Sequence, residues 1–254
     1  MKIRFNYLRI FSQDYCLGKT LSVVWSLGEM LKLAVLKPSA ELWTLFGLVF
    51  KVKPGYSMLS TIRLLTLYQL VKEVQLQGLK GDIVECGVWN GGACAIMAKS
   101  YQDAGGRNER SIWIFDSFEG LPPPGERDGE SVAKYYFKGF SQGNLDKVRL
   151  IFNKLSVPFD NVKVVKGWVE DTLPKNNLGP VALLHIDTNW YESVKVALDN
   201  IYDKIVVGGF IMVDDFFFFE GCRNAVLDFL KERGIEHKVQ ITKVDRSAVY
   251  FQKV

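Results

Sequence analysis

Gly81-Asp82-Ile83-Val84-Glu85-Cys86-Gly87-Val88-Trp89-Asn90-Gly91-Gly92-Ala93-Cys94 holds an apolar run, a glycine turn and the opening of a helix. The run 82–86 is expected to form a buried strand. Residues 93–104 are expected to form a helix with small residues toward a sheet, stopped by Gly105-Gly106. Glycines at such a turn let the backbone approach a ligand and pack close to the sheet. Trp89 stands where a dinucleotide fingerprint needs its middle glycine, and the acid Glu85 comes before the first glycine. That arrangement suits a cofactor with a positive charge and no phosphate, such as S-adenosylmethionine.

The same alternation continues outward. Residues 111–115, 162–165, 181–186 and 210–213 read as further strands, with helices near 191–203 and 223–233. Residues 238–244 and 248–252 read as two closing strands joined by the polar turn Asp245-Arg246-Ser247. Strand-helix alternation implies a parallel sheet with helices on both faces, and the final pair an antiparallel addition at one edge. The expectation is an α/β protein with a seven-stranded, mostly parallel sheet. Its outline resembles the Rossmann-like class I methyltransferase fold. Residues 116–147 break the alternation: Leu121-Pro122-Pro123-Pro124-Gly125 suits neither helix nor central strand. A loop of that length is expected to be a lid or binding loop.

Composition narrows the classes. The chain has 254 residues, 48% hydrophobic, which is ample for a core. Its net charge of +4 is uneven: residues 1–53 carry eight Lys/Arg against three Asp/Glu, and the remainder is nearly neutral. No long basic face for nucleic acid follows from this. Cys16, Cys86, Cys94 and Cys222 lack zinc or redox spacing and read as reduced, packed thiols in a cytoplasmic protein. The apolar stretch 21–36 is interrupted by Glu29 and Lys32, and 42–50 falls far short of a span, so no transmembrane segment or signal peptide is expected. Residues 1–53 are expected to be an N-terminal helical extension serving as lid or dimerisation element, and 54–254 the catalytic domain. The apolar helices favour a homo-oligomer.

Asp187 ends one expected strand, and the pair Asp214-Asp215 ends another. Ligands in open α/β sheets bind at the carboxyl ends of the strands. Three carboxylates converging there repel one another unless a cation lies between them, and oxygen-only ligation suits Mg²⁺. Consecutive Asp214 and Asp215 can reach one ion only if the strand has ended. At the other end of the site, Asp116 follows the second strand, where an acid can accept ribose hydroxyls. Gly167-Trp168 follows the third, where an aromatic ring can flank an adenine.

These residues resemble the macrocin O-methyltransferase family, which methylates sugar hydroxyls of natural products. The resemblance spans roughly residues 54–230. It rests on the glycine-turn stretch, on Phe115-Asp116-Ser117-Phe118-Glu119-Gly120-Leu121-Pro122, on His185-Ile186-Asp187 with Tyr191-Glu192-Ser193, and on Asp214-Asp215-Phe216 with Gly221-Cys222-Arg223. Tyr56-Ser57-Met58 and Arg63 resemble the family's N-terminal helix, which caps the site. The resemblance implies Mg²⁺ on Asp187, Asp214 and Asp215. It implies S-adenosylmethionine along Glu85, Gly87, Val88, Trp89, Gly91, Asp116, Ser117, Gly167, Trp168 and Asp187. An acceptor would meet Tyr56, Met58, Arg63, Trp190 and Phe216. Thr188, Asn189 and the run 216–219 depart from the family pattern beside the acceptor pocket.

The expected activity is Mg²⁺-dependent O-methylation of a sugar or glycosylated small molecule, through chelation of a vicinal diol, with Asp187 as general base. His185, two residues deeper on the same face, reads as structural. A catechol-type methyltransferase acting on an aromatic diol shares the metal logic. A non-catalytic scaffold conflicts with so many buried acids.

Overall fold

The computed structural model describes residues 40–53, 55–107, 109–129, 132 and 136–254. The apolar stretch 21–36, Cys16 and most of the basic extension lie outside these residues. Helix α1 (Ala40–Val52) and helix α2 (Thr61–Leu76) precede strand β1 (Asp82–Cys86) and helix α3 (Gly92–Asp103). Then come β2 (Ile112–Asp116), α4 (Leu145–Lys154), β3 (Val162–Lys166), the short α5 (Val169–Thr172) and β4 (Val181–Ile186). The chain continues through α6 (Tyr191–Ile201), β5 (Ile205–Val213), α7 (Glu220–Glu232), β6 (Thr242–Lys243) and β7 (Val249–Gln252).

The seven strands form one sheet in the order β3-β2-β1-β4-β5-β7-β6, parallel except for β7 with its two neighbours. Alternation along each strand splits the core in two. Ile83, Ile114, Leu183 and Met212 face α1 to α4, while Val84, Phe115, Leu184 and Ile211 face α6 and α7. The buried side of α1 joins the first of these cores through Leu45, Phe46, Val49 and Val52. The expected boundary at residue 53 therefore falls just after a helix that packs on the body that holds the sheet.

Two expectations about strands need correction. β5 begins at Ile205, not at Phe210. Gly208-Gly209 hides its first half: the pairing with β4 slips between Val181 and Leu183, a bulge that breaks the hydrophobic pattern. The expected strand 238–244 shrinks to Thr242–Lys243, because Lys238 and Val239 turn back to donate to the Ile235 carbonyl. Among the described residues, no helix is long and apolar enough to cross a membrane. Cys86, Cys94 and Cys222 are free and buried.

Candidate active site

β4 and β5 are parallel neighbours, with Ile186 level with Val213. Asp187 and Asp214 therefore leave the sheet side by side. The Asp214 N–H still pairs with the Ile186 carbonyl at 2.9 Å, and the strand ends there. The Asp215 carbonyl accepts the N–H groups of Phe218 and Phe219, which closes a turn and frees the Asp215 side chain from the strand's alternation. Asp187, Asp214 and Asp215 each present one oxygen, all within 4.8 Å of one another. At an effective dielectric of about 20, each pair of charges at that spacing repels by roughly 3.5 kcal/mol.

Asp187 and Asp215 respond to burial and to that repulsion. Burial first, then Asp214 and Asp215, hold the Asp187 carboxyl well above the ordinary carboxylate range. Burial and then Asp214 raise Asp215 to about 7. Arg63 on α2 donates from Nη1 to Asp214 Oδ2, and Ser247 Oγ donates to Asp215 Oδ1 at 3.0 Å. Asp214 Oδ1 is buried and has no hydrogen-bond partner among the described residues. Arg63 is shared with Asp245, and His185 behind the site with Glu85, so the two cations do not balance the acids around them. An all-oxygen donor set with a free buried oxygen fits a hard divalent cation.

His185 is fully buried behind these acids. Its Nδ1 lies 2.9 Å from Glu85 Oε1, and its Nε2 lies 3.9 Å from Asp214 Oδ1, a separation for an ionic contact but not a hydrogen bond. Burial disfavours the imidazolium, but Asp214 and Glu85 outweigh it and push its pKa up to about 10. Burial raises Glu85, partly offset by His185. This geometry places His185 between Glu85 on β1 and Asp214 at the end of β5.

The glycine turn lies beside Glu85. Gly87 has φ +83°, and Trp89 adopts φ +51° without being glycine. Asp116 holds this turn: its Oδ2 accepts from Val88 N at 2.6 Å and Trp89 N at 2.8 Å, and its Oδ1 from Phe118 N at 2.6 Å. Oδ2 is filled by its two donors, while Oδ1, with one, retains acceptor capacity. Ser117 Oγ accepts from Glu119 N and donates to the Gly120 carbonyl. Gly91, with φ +85°, caps α3. Gly167 bonds back to the Asp116 carbonyl, and half-buried Trp168 caps α5. The structure thus gathers the residues expected to contact a nucleoside along the ends of β1, β2 and β3.

The residues expected to meet the acceptor divide. Arg63 reaches the acids directly. Met58 is exposed, and Tyr56 sits under the Lys154 ammonium at 5.3 Å. Trp190 is buried, donating Nε1–H to the Pro122 carbonyl at 2.8 Å and meeting Phe219 edge-on. Phe216 and Phe219 are buried, while Phe217 and Phe218 are exposed. Three residues that the sequence does not single out gain importance from the fold. Asp245 and Ser247 belong to what reads as an ordinary polar turn, and Asp128 to a charged run. Burial of an acid is the signal that separates Asp128, and composition does not carry it.

The model of the macrocin O-methyltransferase family matches residues 51–253. A demethyldecarbamoylnovobiocin O-methyltransferase of Streptomyces niveus is 33% identical over 78% of this chain and 76% of its own. A mycinamicin III 3''-O-methyltransferase of Micromonospora griseorubida is 30% identical over 78% of this chain and 79% of its own. The solved O-methyltransferase NovP superposes with a TM-score of 0.72 at 32% identity, covering 78% of this chain and 82% of that one. A calicheamicin methyltransferase, at 18% identity and a TM-score of 0.62, covers 89% of this chain and 91% of its own and shares the fold. With acids at the ends of β1, β2, β4 and β5 and a family match across the whole sheet, the chain belongs to the macrocin O-methyltransferase family and is an S-adenosylmethionine-dependent O-methyltransferase.

Proposed function

We propose that this enzyme methylates a hydroxyl of a glycosylated small molecule, with Asp187, Asp214 and Asp215 holding a divalent cation, Mg²⁺ by donor type. The convergence of three carboxylate oxygens within 4.8 Å carries this reading. The names of its relatives, among them a rhamnosyl-tetracenomycin 4'-O-methyltransferase of Streptomyces olivaceus that is 33% identical over 78% of this chain and 76% of its own, support the acceptor class. A cation held there would supply Lewis acidity, lowering the pKa of an acceptor hydroxyl; chelation of a vicinal diol is the reading we propose for it.

The protein's own groups supply the rest. Glu85 and Asp116 end β1 and β2 on the side where a nucleoside would lie. Asp187, at the end of β4 beside the ends of β1 and β5, takes the acceptor proton. Methyl transfer from a sulfonium releases a neutral thioether, so positioning dominates the demand on the protein. The exposed rings of Phe217 and Phe218, two and three residues past Asp215, offer apolar surface to the acceptor's non-sugar part.

Crystals soaked with S-adenosylhomocysteine and Mn²⁺ test the proposal by anomalous scattering. A peak among the three acids with the nucleoside along Glu85 and Asp116 is expected. A bound nucleoside without a metal peak would remove the cation and leave methyl transfer. Preference for catechols over glycosides in competition assays would overturn the acceptor class.

A further inference from the structure

We propose that Asp245 is a positioning residue for the acid trio, acting through Arg63 and Ser247; this rests on the cation reading above. Asp245 lies in the turn between β6 and β7, far in sequence from Asp187 and about thirty residues past the Asp214-Asp215 pair. Its Oδ2 accepts from Ser60 Oγ at 2.8 Å and from Arg63 Nε at 3.0 Å. Its Oδ1 accepts from Ser247 N at 2.7 Å and Ala248 N at 2.9 Å. Burial disfavours its charge, but Arg63, these two N–H groups and Ser60 outweigh it and hold the carboxyl below its ordinary range.

What Asp245 holds, in turn, holds the acids. Arg63, gripped at Nε, donates from Nη1 to Asp214 Oδ2. Ser247, gripped at its backbone N–H, donates its hydroxyl to Asp215 Oδ1 at 3.0 Å. One oxygen of each neighbouring acid is fixed this way. The opposite oxygen of Asp214 is left buried and unpartnered. A strap that only joined α2 to the C-terminal turn could end on backbone atoms. This one ends on a chosen oxygen of two carboxylates and leaves another free to ligate. Partners of this kind set the orientation and basicity of metal ligands, and losing one costs about 10- to 100-fold in metal affinity.

Ser60 makes the arrangement a junction. It caps α2, accepting from Arg63 N at 3.2 Å, while donating to Asp245. Docking of the first turn of α2 and alignment of Asp214 and Asp215 therefore share one carboxylate.

Calorimetric titration with Mn²⁺ on the full chain tests this, comparing wild type, D245N and S247A. D245N is expected to bind Mn²⁺ about 10- to 100-fold more weakly, with affinity for S-adenosylhomocysteine in the absence of metal unchanged. S247A, which removes one hydroxyl and leaves Asp245 in place, is expected to weaken Mn²⁺ by a smaller factor in the same direction, and carries the test if D245N does not fold. Wild-type Mn²⁺ affinity in both variants, whatever their melting temperatures, would reduce Asp245 to a structural strap. Failure of the wild type itself to bind Mn²⁺ would instead overturn the cation reading and this inference with it.

Discussion

Gly87 and the backbone of Asp187 are in direct contact across β1 and β4: a Cβ on Gly87 would overlap the Asp187 carbonyl oxygen and lie 2.7 Å from its carbonyl carbon. The Asp187 N–H pairs with the Cys86 carbonyl at 2.8 Å, so neither backbone can retreat without breaking the ladder. Gly87 also needs its left-handed φ of +83°. The glycine turn thus serves the acid site as well as the nucleoside end. Gly87→Ala is expected to destabilise the fold by about 2–5 kcal/mol, summing left-handed strain and overpacking. Denaturant unfolding measures this, and wild-type stability in the variant would refute the contact.

Asp187→Asn should separate function from folding. The wild-type carboxylate is held against burial and against Asp214 and Asp215, so removing its charge relieves repulsion in the metal-free protein. The melting temperature without metal is expected to hold or rise, while turnover falls at least about 100-fold, the low end for loss of a general base. Unchanged turnover would remove Asp187 from the chemistry.

The sheet and the acid trio were legible because local sequence determines them. Each strand is a short apolar run, each acid follows such a run, and the parallel sheet places those ends together. Asp245 and Ser247 were not legible, because their importance comes from a turn folding against Ser60 and Arg63 across the chain. The first half of β5 was hidden by Gly208-Gly209, which reads as a turn until β4 pairs with both sides of the bulge. The run 216–219 could not be divided by composition: the turn after Asp215 buries its first and last rings and exposes the middle two.

Acid should weaken cation binding near neutrality. Asp215 titrates at about 7 in the folded metal-free protein, against 3.8 for an unperturbed aspartate. The folded state holds this proton more tightly than the unfolded chain. The group's stabilising contribution is therefore present at low pH and is lost as pH rises from about 4 to about 7. A cation binds the carboxylate form. The rise in melting temperature on adding Mg²⁺ is expected to be larger at pH 8 than at pH 6, as read by calorimetry. Equal shifts at both values would mean that Asp215 is not a ligand.

Asp128 is expected to anchor the long segment between β2 and α4. It is buried, accepting from Gly125 N at 2.8 Å within its own loop and from Tyr191 N at 2.7 Å in the first turn of α6. Gly221, opening α7, leaves it room: a Cβ there would lie 3.1 Å from the Asp128 carboxyl carbon. Arg127 stacks over the Tyr191 ring at 4.4 Å beside it. A loop residue thus fills the capping role that Trp190 cannot, at the helix that opens just past Asp187. Asp128→Ala removes a cap worth about 0.5–2 kcal/mol and unties the loop from the helix. Limited proteolysis within 117–144 is expected to quicken, and the KM for acceptor to rise more than the KM for S-adenosylmethionine, since Asp116 and the glycine turn keep their own bonds. Unchanged proteolysis would show that the loop is held by its other contacts, such as the 2.8 Å bond from Leu121 N to the Phe140 carbonyl.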